Sequence, residues 1–273
     1  MNAQNEKAAR LRALHVPGDP LVLVNAWDAV SARIVEELGF PAIASSSGAV
    51  AWAHGFADGE HMQREAMLRG VACIASAVQV PVTADLERGY GPRVEDACAT
   101  ARGAIEAGAA GLNFEDCDAE TLFDAELHAE RIAAMLAAGE ERGVQLVINA
   151  RTDVYLAEIG DNDAWRFAET VRRANRYLQA GAACAFVPGV TDEGLIEKLV
   201  AAIHGPVSVL AGAASPPVAR LAALGVARVS VGTAAMGYVL AQLRGFASDI
   251  KERGDFGAIA QRLTHAEVNA LFL

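Results

Sequence analysis

The sequence predicts an α/β fold: a (β/α)8 barrel of the TIM type, with an extra helix before the first strand and further helices after the last. Three observations carry this. Eight apolar runs of strand length recur along the chain, most of them continuous, as in parallel strands buried on both faces. Ala-rich amphipathic stretches separate them, and most end at a glycine, the usual helix stop. The chain has 273 residues, 53% of them hydrophobic, which suits one large barrel. An open doubly wound sheet is the competing arrangement, but no Gly-x-Gly-x-x-Gly turn follows the first strand.

In chain order, residues 4–15 read as a leading helix. The strands read 21–27, 42–47, 82–87, 111–116, 146–153, 184–189, 207–212 and 228–233. The helices between them read 29–38, 62–77, 94–107, 125–138, 163–180, 193–203 and 217–224. Gly39, Gly108, Gly139, Gly181, Gly205 and Gly225 stand at or just beyond their ends. Two more helices, 234–253 and 257–272, follow the last strand. No linker or low-complexity segment divides the chain, so residues 1–273 read as a single domain.

Charge and composition exclude several functions. The net charge of −11 argues against nucleic acid, whose phosphates need clustered Lys and Arg. No apolar stretch of about 18 residues is present to span a membrane. The N-terminus is polar and lacks an apolar signal core, so a cytoplasmic location is expected. Cys73, Cys98, Cys117 and Cys184 show no Cys-x-x-Cys spacing, so neither a zinc site nor a disulfide framework is expected.

Barrel active sites lie at the C-terminal ends of the strands. Those ends read Asn25 and Asp28; Ser45 to Gly48; Asp85 and Glu87; Glu115 and Asp116; Asn149, Arg151 and Asp153; Pro188; Gly212; Gly232 and Thr233. The strand interiors read as apolar. Asp85 and Glu87, at i and i+2, point the same way on a strand, with Glu115 about 5 Å aside on the next strand. Three converging acids repel unless a cation sits among them. Asp85, Glu87 and Glu115 are therefore candidate ligands, and their hard oxygens suit Mg2+ or Mn2+. The alternative is that they cap helices or pair with Arg88 and Arg93. Ser46, Ser47 and Gly48 open a turn whose backbone N–H groups could take an anion; a plain helix cap is the alternative. Arg151 suits a substrate carboxylate, or an internal pair with Asp153 or Glu115. Gly89-Tyr90-Gly91 reads as a turn over the site. His54, His61 and Cys117 read as structural, and Gly212 and Gly232 as a weak phosphate signal.

At this point the sequence resembles the isocitrate lyase/phosphoenolpyruvate mutase superfamily. The likeness lies in residues 25–60, VTADLERGYG (82–91), AGAAGLNFEDC (107–117), VINARTDVYL (147–156) and LGVARVSVGTAAMG (224–237). The resemblance implies a barrel, Mg2+ dependence and a small α-oxo or 2-hydroxy acid ligand. It implies that Asp85 holds the metal, with Asp58, Glu87 and Glu115 acting through waters. It places the substrate carboxylate on the backbone of Ser46, Ser47 and Gly48, and the substrate against Arg151. Family members are commonly tetramers that exchange a C-terminal helix, so a homo-oligomer, dimer or tetramer, is expected.

One departure matters. Lyases of this superfamily carry Lys-[Lys/Arg]-Cys-Gly-His in a loop after the fourth strand. Here EDCDAETLFDAELHAERI follows, and the mutase-type Lys-Thr-Asn-Ser is missing too. The chemistry expected to survive is carbon–carbon bond cleavage through a metal-stabilised enolate, with Arg151, Glu115 and Asp58 as catalytic candidates. A P–C hydrolase or mutase and a non-catalytic oxo-acid-binding protein are the alternatives.

Overall fold

The computed structural model describes residues 3–118 and 120–273. Its strand segments are β1 (Leu21–Leu23), β2 (Asn25–Ala26), β3 (Ile43–Ser45), β4 (Val82–Asp85), β5 (Gly111–Glu115), β6 (Val147–Arg151), β7 (Cys184–Val187), β8 (Val207–Leu210) and β9 (Arg228–Ser230). All pair in parallel, in the order β1-β9-β8-β7-β6-β5-β4-β3-β2. The ends of that order are consecutive pieces of one stave with only Val24 between them, so the sheet comes round into an eight-staved TIM-type barrel.

The predicted strand 21–27 is thus split. Its first piece pairs with β9, Leu21 opposite Arg228, and its second with β3, Asn25 opposite Ala44. Asn25 fastens the seam. Its Nδ2 donates to the Ser45 carbonyl at 2.7 Å, and its Oδ1 accepts the backbone N–H groups of Val231 and Gly232 at 3.1 and 2.9 Å.

The helices are α1 (Ala3–Ala13), α2 (Ala29–Glu37), α3 (Ser47–Ala53), α4 (Arg64–Ala77), α5 (Val94–Glu106), α6 (Ala125–Glu141), α7 (Asp163–Gln179), α8 (Glu193–Ala202), α9 (Val218–Ala223), α10 (Ala234–Arg253) and α11 (His265–Ala270). Asp28 is the N-cap of α2: its carboxylate accepts the Ser31 N–H at 2.7 Å. It is a helix cap rather than a site residue, because an acid at that position satisfies an orphan N–H. No described helix is long and apolar enough to cross a membrane.

Three expectations are corrected. The run after the second strand is not only a turn: Ser46 caps the short helix α3, its hydroxyl accepting the Ala49 N–H at 3.4 Å. Gly139 does not end α6. A Cβ there would meet the Val144 carbonyl at 2.8 Å, so Gly139 permits close packing, and the left-handed residue after the helix is Gly143 (φ 70°). The segment 257–272 is not one helix but a 3-10 turn, Gly257–Gln261, followed by α11. Thr264 and Glu267 form a capping box that starts the second piece afresh.

The helices cover the barrel with aliphatic faces such as Met67, Ile74, Ile132 and Ile196, all buried. Each such side chain contributes about 1.5–3 kcal/mol relative to exposure. At the base, Leu11 of α1 packs under Gly111, where a Cβ would lie 2.9 Å from its methyl.

Candidate active site

Strand register arranges the mouth in two levels. At the lower level Asp85, Asn113, Asn149 and Cys184 stand side by side on β4 to β7. One strand period above, Glu115, Arg151 and Phe186 do the same on β5 to β7. Alternate residues share a strand face, so each pair on a strand belongs to the same side. Asp85 is therefore opposite Asn113, and Glu115 is a level higher.

Asp85 is held from two sides. Ser47 donates its backbone N–H at 3.0 Å and its hydroxyl at 2.9 Å to Oδ2, and Asn113 donates its amide to Oδ1 at 3.3 Å. The Asn113 oxygen accepts from Asn149 Nδ2 at 2.9 Å and from Arg228 Nη2 at 3.0 Å, which fixes which end of that amide faces Asp85. The Ser47 N–H, which the resemblance assigns to a substrate carboxylate, is thus engaged by Asp85 here. Gly48 lies in the first turn of α3, where N–H groups have no intrahelical acceptor. A Cβ at Gly48 would come within 2.7 Å of the Asp58 carboxylate, so a glycine is needed to seat Asp58 against α3. Burial, then the nearby Asp85, raises the Asp58 pKa above the ordinary carboxylate value.

Glu87 lies past the end of β4 with φ of 51°, so i, i+2 spacing on a strand does not aim it. The turn does. Glu115 donates its N–H to the Glu87 carbonyl at 3.0 Å, which brings Glu87 beside Glu115. Its Oε2 is buried with no hydrogen-bond partner among the described residues. Burial, reinforced by Asp85 and Asp58, pushes its pKa up to about 8. Gly89-Tyr90-Gly91 is pinned to the loop before α4: Glu60 accepts the Tyr90 N–H at 2.7 Å and pairs with Arg88 at 3.0 Å. From behind, Arg131 donates to the carbonyls of Arg88 and Gly91 at 2.6 and 2.7 Å.

Arg151 makes both internal pairs the sequence offered as alternatives, with Glu115 at 2.7 Å and Asp153 at 2.6 Å. Its guanidinium lies 5.9 Å from the Phe186 ring centre. Asp116 turns outward instead. Fully buried, it accepts from the Tyr177 hydroxyl at 2.6 Å, Arg173 at 3.1 Å and the Asp153 N–H at 3.1 Å, so it supports the Arg151–Asp153 segment from behind.

These side chains line a two-lobed cavity. The outer lobe, about 330 Å3, has Glu87, Arg88, Glu115, Cys117 and Asp153 on its wall; the inner, about 210 Å3, has Asp85, Asn113, Phe186, Leu210 and Thr233. Ser47, Asp58, Arg151 and Leu156 border both. Ser46, Gly48 and Gly232 line the inner lobe, whereas His54, His61 and Gly212 line neither.

The residues fit a hydrated divalent cation. Five carboxylates, Asp58, Asp85, Glu87, Glu115 and Asp153, face the cavity against two guanidinium groups. Both cations are already paired with acids. One buried carboxyl oxygen, Glu87 Oε2, is left over. Among the described residues no three His, Cys, Asp or Glu side chains could hold an ion directly. Hard oxygens spaced more widely suit an ion that keeps several waters, as Mg2+ does.

Sequence reasoning missed Glu60, Asn113, Arg131 and Arg228. Arg228 had a visible signal, a lone charge inside an apolar run. It corrects the expectation of apolar strand interiors, because Thr83, Asn113, Asn149, Ser208 and Arg228 are all buried there. Arg131 had none, since an arginine in an amphipathic helix reads as solvated.

The sequence model of phosphoenolpyruvate phosphomutase matches residues 11–251. The crystal structure of a Burkholderia cenocepacia J2315 protein, provisionally assigned as a phosphonomutase, is 41% identical with a TM-score of 0.85, covering 90% of this chain and 99% of that one. Phosphonopyruvate hydrolase in complex with oxalate and Mg2+ is 25% identical with a TM-score of 0.84, over 97% and 94% of the two chains. The 2-methylisocitrate lyase of Escherichia coli K12 is 27% identical over 215 residues, 71% of this chain and 70% of that enzyme. The chain belongs to the phosphoenolpyruvate phosphomutase family, within the isocitrate lyase/phosphoenolpyruvate mutase superfamily.

Proposed function

We propose that the protein is a Mg2+- or Mn2+-dependent lyase that breaks a carbon–carbon bond in a small α-oxo or 2-hydroxy acid. The observation that carries this is the two-level mouth: Asp85 fixed by Ser47 and Asn113 below, and Arg151 clamped between Glu115 and Asp153 above. Asp85 would hold the ion, with Asp58, Glu87 and Glu115 acting through waters. When bound, such an ion supplies Lewis acidity to a carboxylate and its neighbouring oxygen.

The chain's own residues do the rest. Arg151 faces both lobes with N–H groups beyond the two used internally, and so offers fixed positive charge to an oxygen that becomes negative as the bond breaks. Gly48 presents its N–H to the substrate carboxylate. Glu115, Asp58 and Glu87 are the bases within the cavity, and burial raises all three. The Cys of the missing Lys-[Lys/Arg]-Cys-Gly-His is not needed where water returns the proton. In support, a 27% identical relative is a lyase. A P–C hydrolase remains the second reading, because a 25% identical relative is phosphonopyruvate hydrolase; turnover of phosphonopyruvate separates the two.

Asp85→Ala is the test. Divalent-ion-dependent turnover of an α-oxo or 2-hydroxy acid should be abolished while the circular dichroism spectrum is kept. Full activity in that variant, or in wild type with excess chelator, overturns the proposal.

A further inference from the structure

Resting on that reading of the mouth, we infer that Leu156 is a specificity-determining residue: its side chain sets how much bulk the substrate's third carbon can carry. The two lobes differ in what they hold. Asp85 and Gly48, the places for the ion and the substrate carboxylate, line the inner lobe. Glu87 and Glu115, two of the bases, line the outer one. A substrate that keeps its first two carbons on Asp85 and Gly48 and turns its reacting bond toward those bases carries its third carbon through the neck between the lobes. Ser47, Asp58, Arg151 and Leu156 border that neck. Three of the four are tied into the site. Ser47 donates twice to Asp85, Arg151 is clamped by Glu115 and Asp153, and Asp58 is seated against Gly48. Among the described residues Leu156 is the only apolar side chain on both walls, and at 44% exposure it leaves open space beside it.

The backbone beneath Leu156 is fixed, so the neck responds to the size of this side chain and not to a moving loop. Leu156 follows the Arg151–Asp153 pair directly, in a turn closed by the Ala157 N–H donating to the Asp153 carbonyl at 2.8 Å and the Ile159 N–H donating to the Val154 carbonyl at 3.0 Å. Arg166 pins the far end, donating to the carbonyls of Glu158 and Gly160 at 3.2 and 2.9 Å. On the other side the turn rests on Gly189, which has φ of 84°. A Cβ there would lie 2.7 Å from the Leu156 nitrogen and 2.8 Å from its Cα, so only a glycine lets the two loops approach this closely. A rigid wall with one adaptable apolar side chain discriminates by volume, because added bulk has nowhere to push it.

The test compares wild type, Leu156→Ala and Leu156→Phe by calorimetry in the presence of Mg2+. The probes are pyruvate and 3,3-dimethyl-2-oxobutanoate, which have the same charge and the same oxo-acid end and differ only in the bulk on the third carbon. The quantity read is the affinity for the bulky acid divided by that for pyruvate, so a general loosening of the site cancels. Leu156→Ala should raise this ratio at least ~10-fold over wild type, the scale on which a pocket reads one or two methyl groups. Leu156→Phe should lower it at least ~10-fold, with pyruvate still bound in both variants. Any other order of the three ratios, including affinities that fall alike for both acids, gives Leu156 a merely structural role and overturns this inference while the proposed site stands. If Leu156→Phe does not fold, the order of wild type and Leu156→Ala decides. Failure of wild type to bind either acid with Mg2+ overturns the proposed function and this inference together.

Discussion

Arg151 shows how one residue can be tied structurally and still serve chemistry. Its two internal partners use two of five N–H donors and fix the plane of the fork. Lysine keeps the charge but cannot bridge Glu115 and Asp153 at once. Arg151→Lys should therefore lose about 10²-fold or more in kcat/KM with little change in thermal midpoint; an unchanged kcat/KM removes Arg151 from the mechanism. Gly48 makes a complementary case. An added methyl would lie 2.7 Å from the Asp58 carboxylate and 2.9 Å from the Thr233 methyl, too close unless something shifts. Gly48→Ala should weaken divalent-ion binding at least ~10-fold in a folded protein, the scale of a lost outer contact. Calorimetric titration with Mg2+ checks this, and wild-type affinity in the variant would place Asp58 outside the ion's surroundings.

Among elements, the seam between the two halves of the first stave depends on one amide. Asn25→Leu keeps the volume but strands the Val231 and Gly232 N–H groups and the Ser45 carbonyl. A loss of about 2–3 kcal/mol in urea unfolding is expected, and a loss below about 0.5 kcal/mol would show the seam held by other means. Beneath the barrel, His15 donates Nδ1–H to the Leu11 carbonyl at 2.9 Å, and its Nε2 faces Arg228 at 3.4 Å. Burial, aided by Arg228, pushes its pKa down to about 4 from 6.5. The unfolded chain then takes up the proton first as pH falls. Stability from this group is present above pH 6.5 and is lost between there and about 4, at up to about 1.4 kcal/mol per pH unit. His15→Asn should flatten the unfolding free energy across that window relative to wild type; an unaltered slope assigns the acid sensitivity elsewhere. Elements of this kind were legible in the sequence as far as periodicity reached. Continuous apolar runs named the strands, and the strand ends named Asp85, Glu115 and Arg151. Periodicity could not show that 21–27 pairs with two different neighbours, that Gly139 serves packing, or that Glu87 is aimed by a left-handed turn. Asn113 and Arg228 escaped because polar side chains inside a barrel are satisfied by residues far away in sequence.

At the scale of the whole molecule, the covered barrel contrasts with its C-terminal helices. Of the 20 residues of α10 only Met236 is buried. Tyr238 is 70% exposed and Leu243 58%, with Phe256, Leu263 and Phe272 each more than half exposed beyond the helix. A cavity of about 490 Å3 opens between α10 and residues 258–262, walled by Val239, Leu243, Phe246 and Ile259. Monomers rarely leave so continuous an apolar surface to water, and the net charge of −11 elsewhere disfavours unspecific clustering. The expectation is a homo-oligomer whose copies cover this face. Light scattering coupled to gel filtration should give two or four times the 28.5 kDa chain mass, and the thermal midpoint should rise with protein concentration because association stabilises only the folded chain. The paired substitution Tyr238→Glu and Leu243→Glu sets two charges on the exposed face, remote from the cavity walls around Arg151. It should shift the mass to that of a single chain and remove the concentration dependence, with the far-ultraviolet circular dichroism kept. A wild-type protein that runs as a single chain at tens of micromolar, with a midpoint independent of concentration, would mean that α10 is stable in water as it stands.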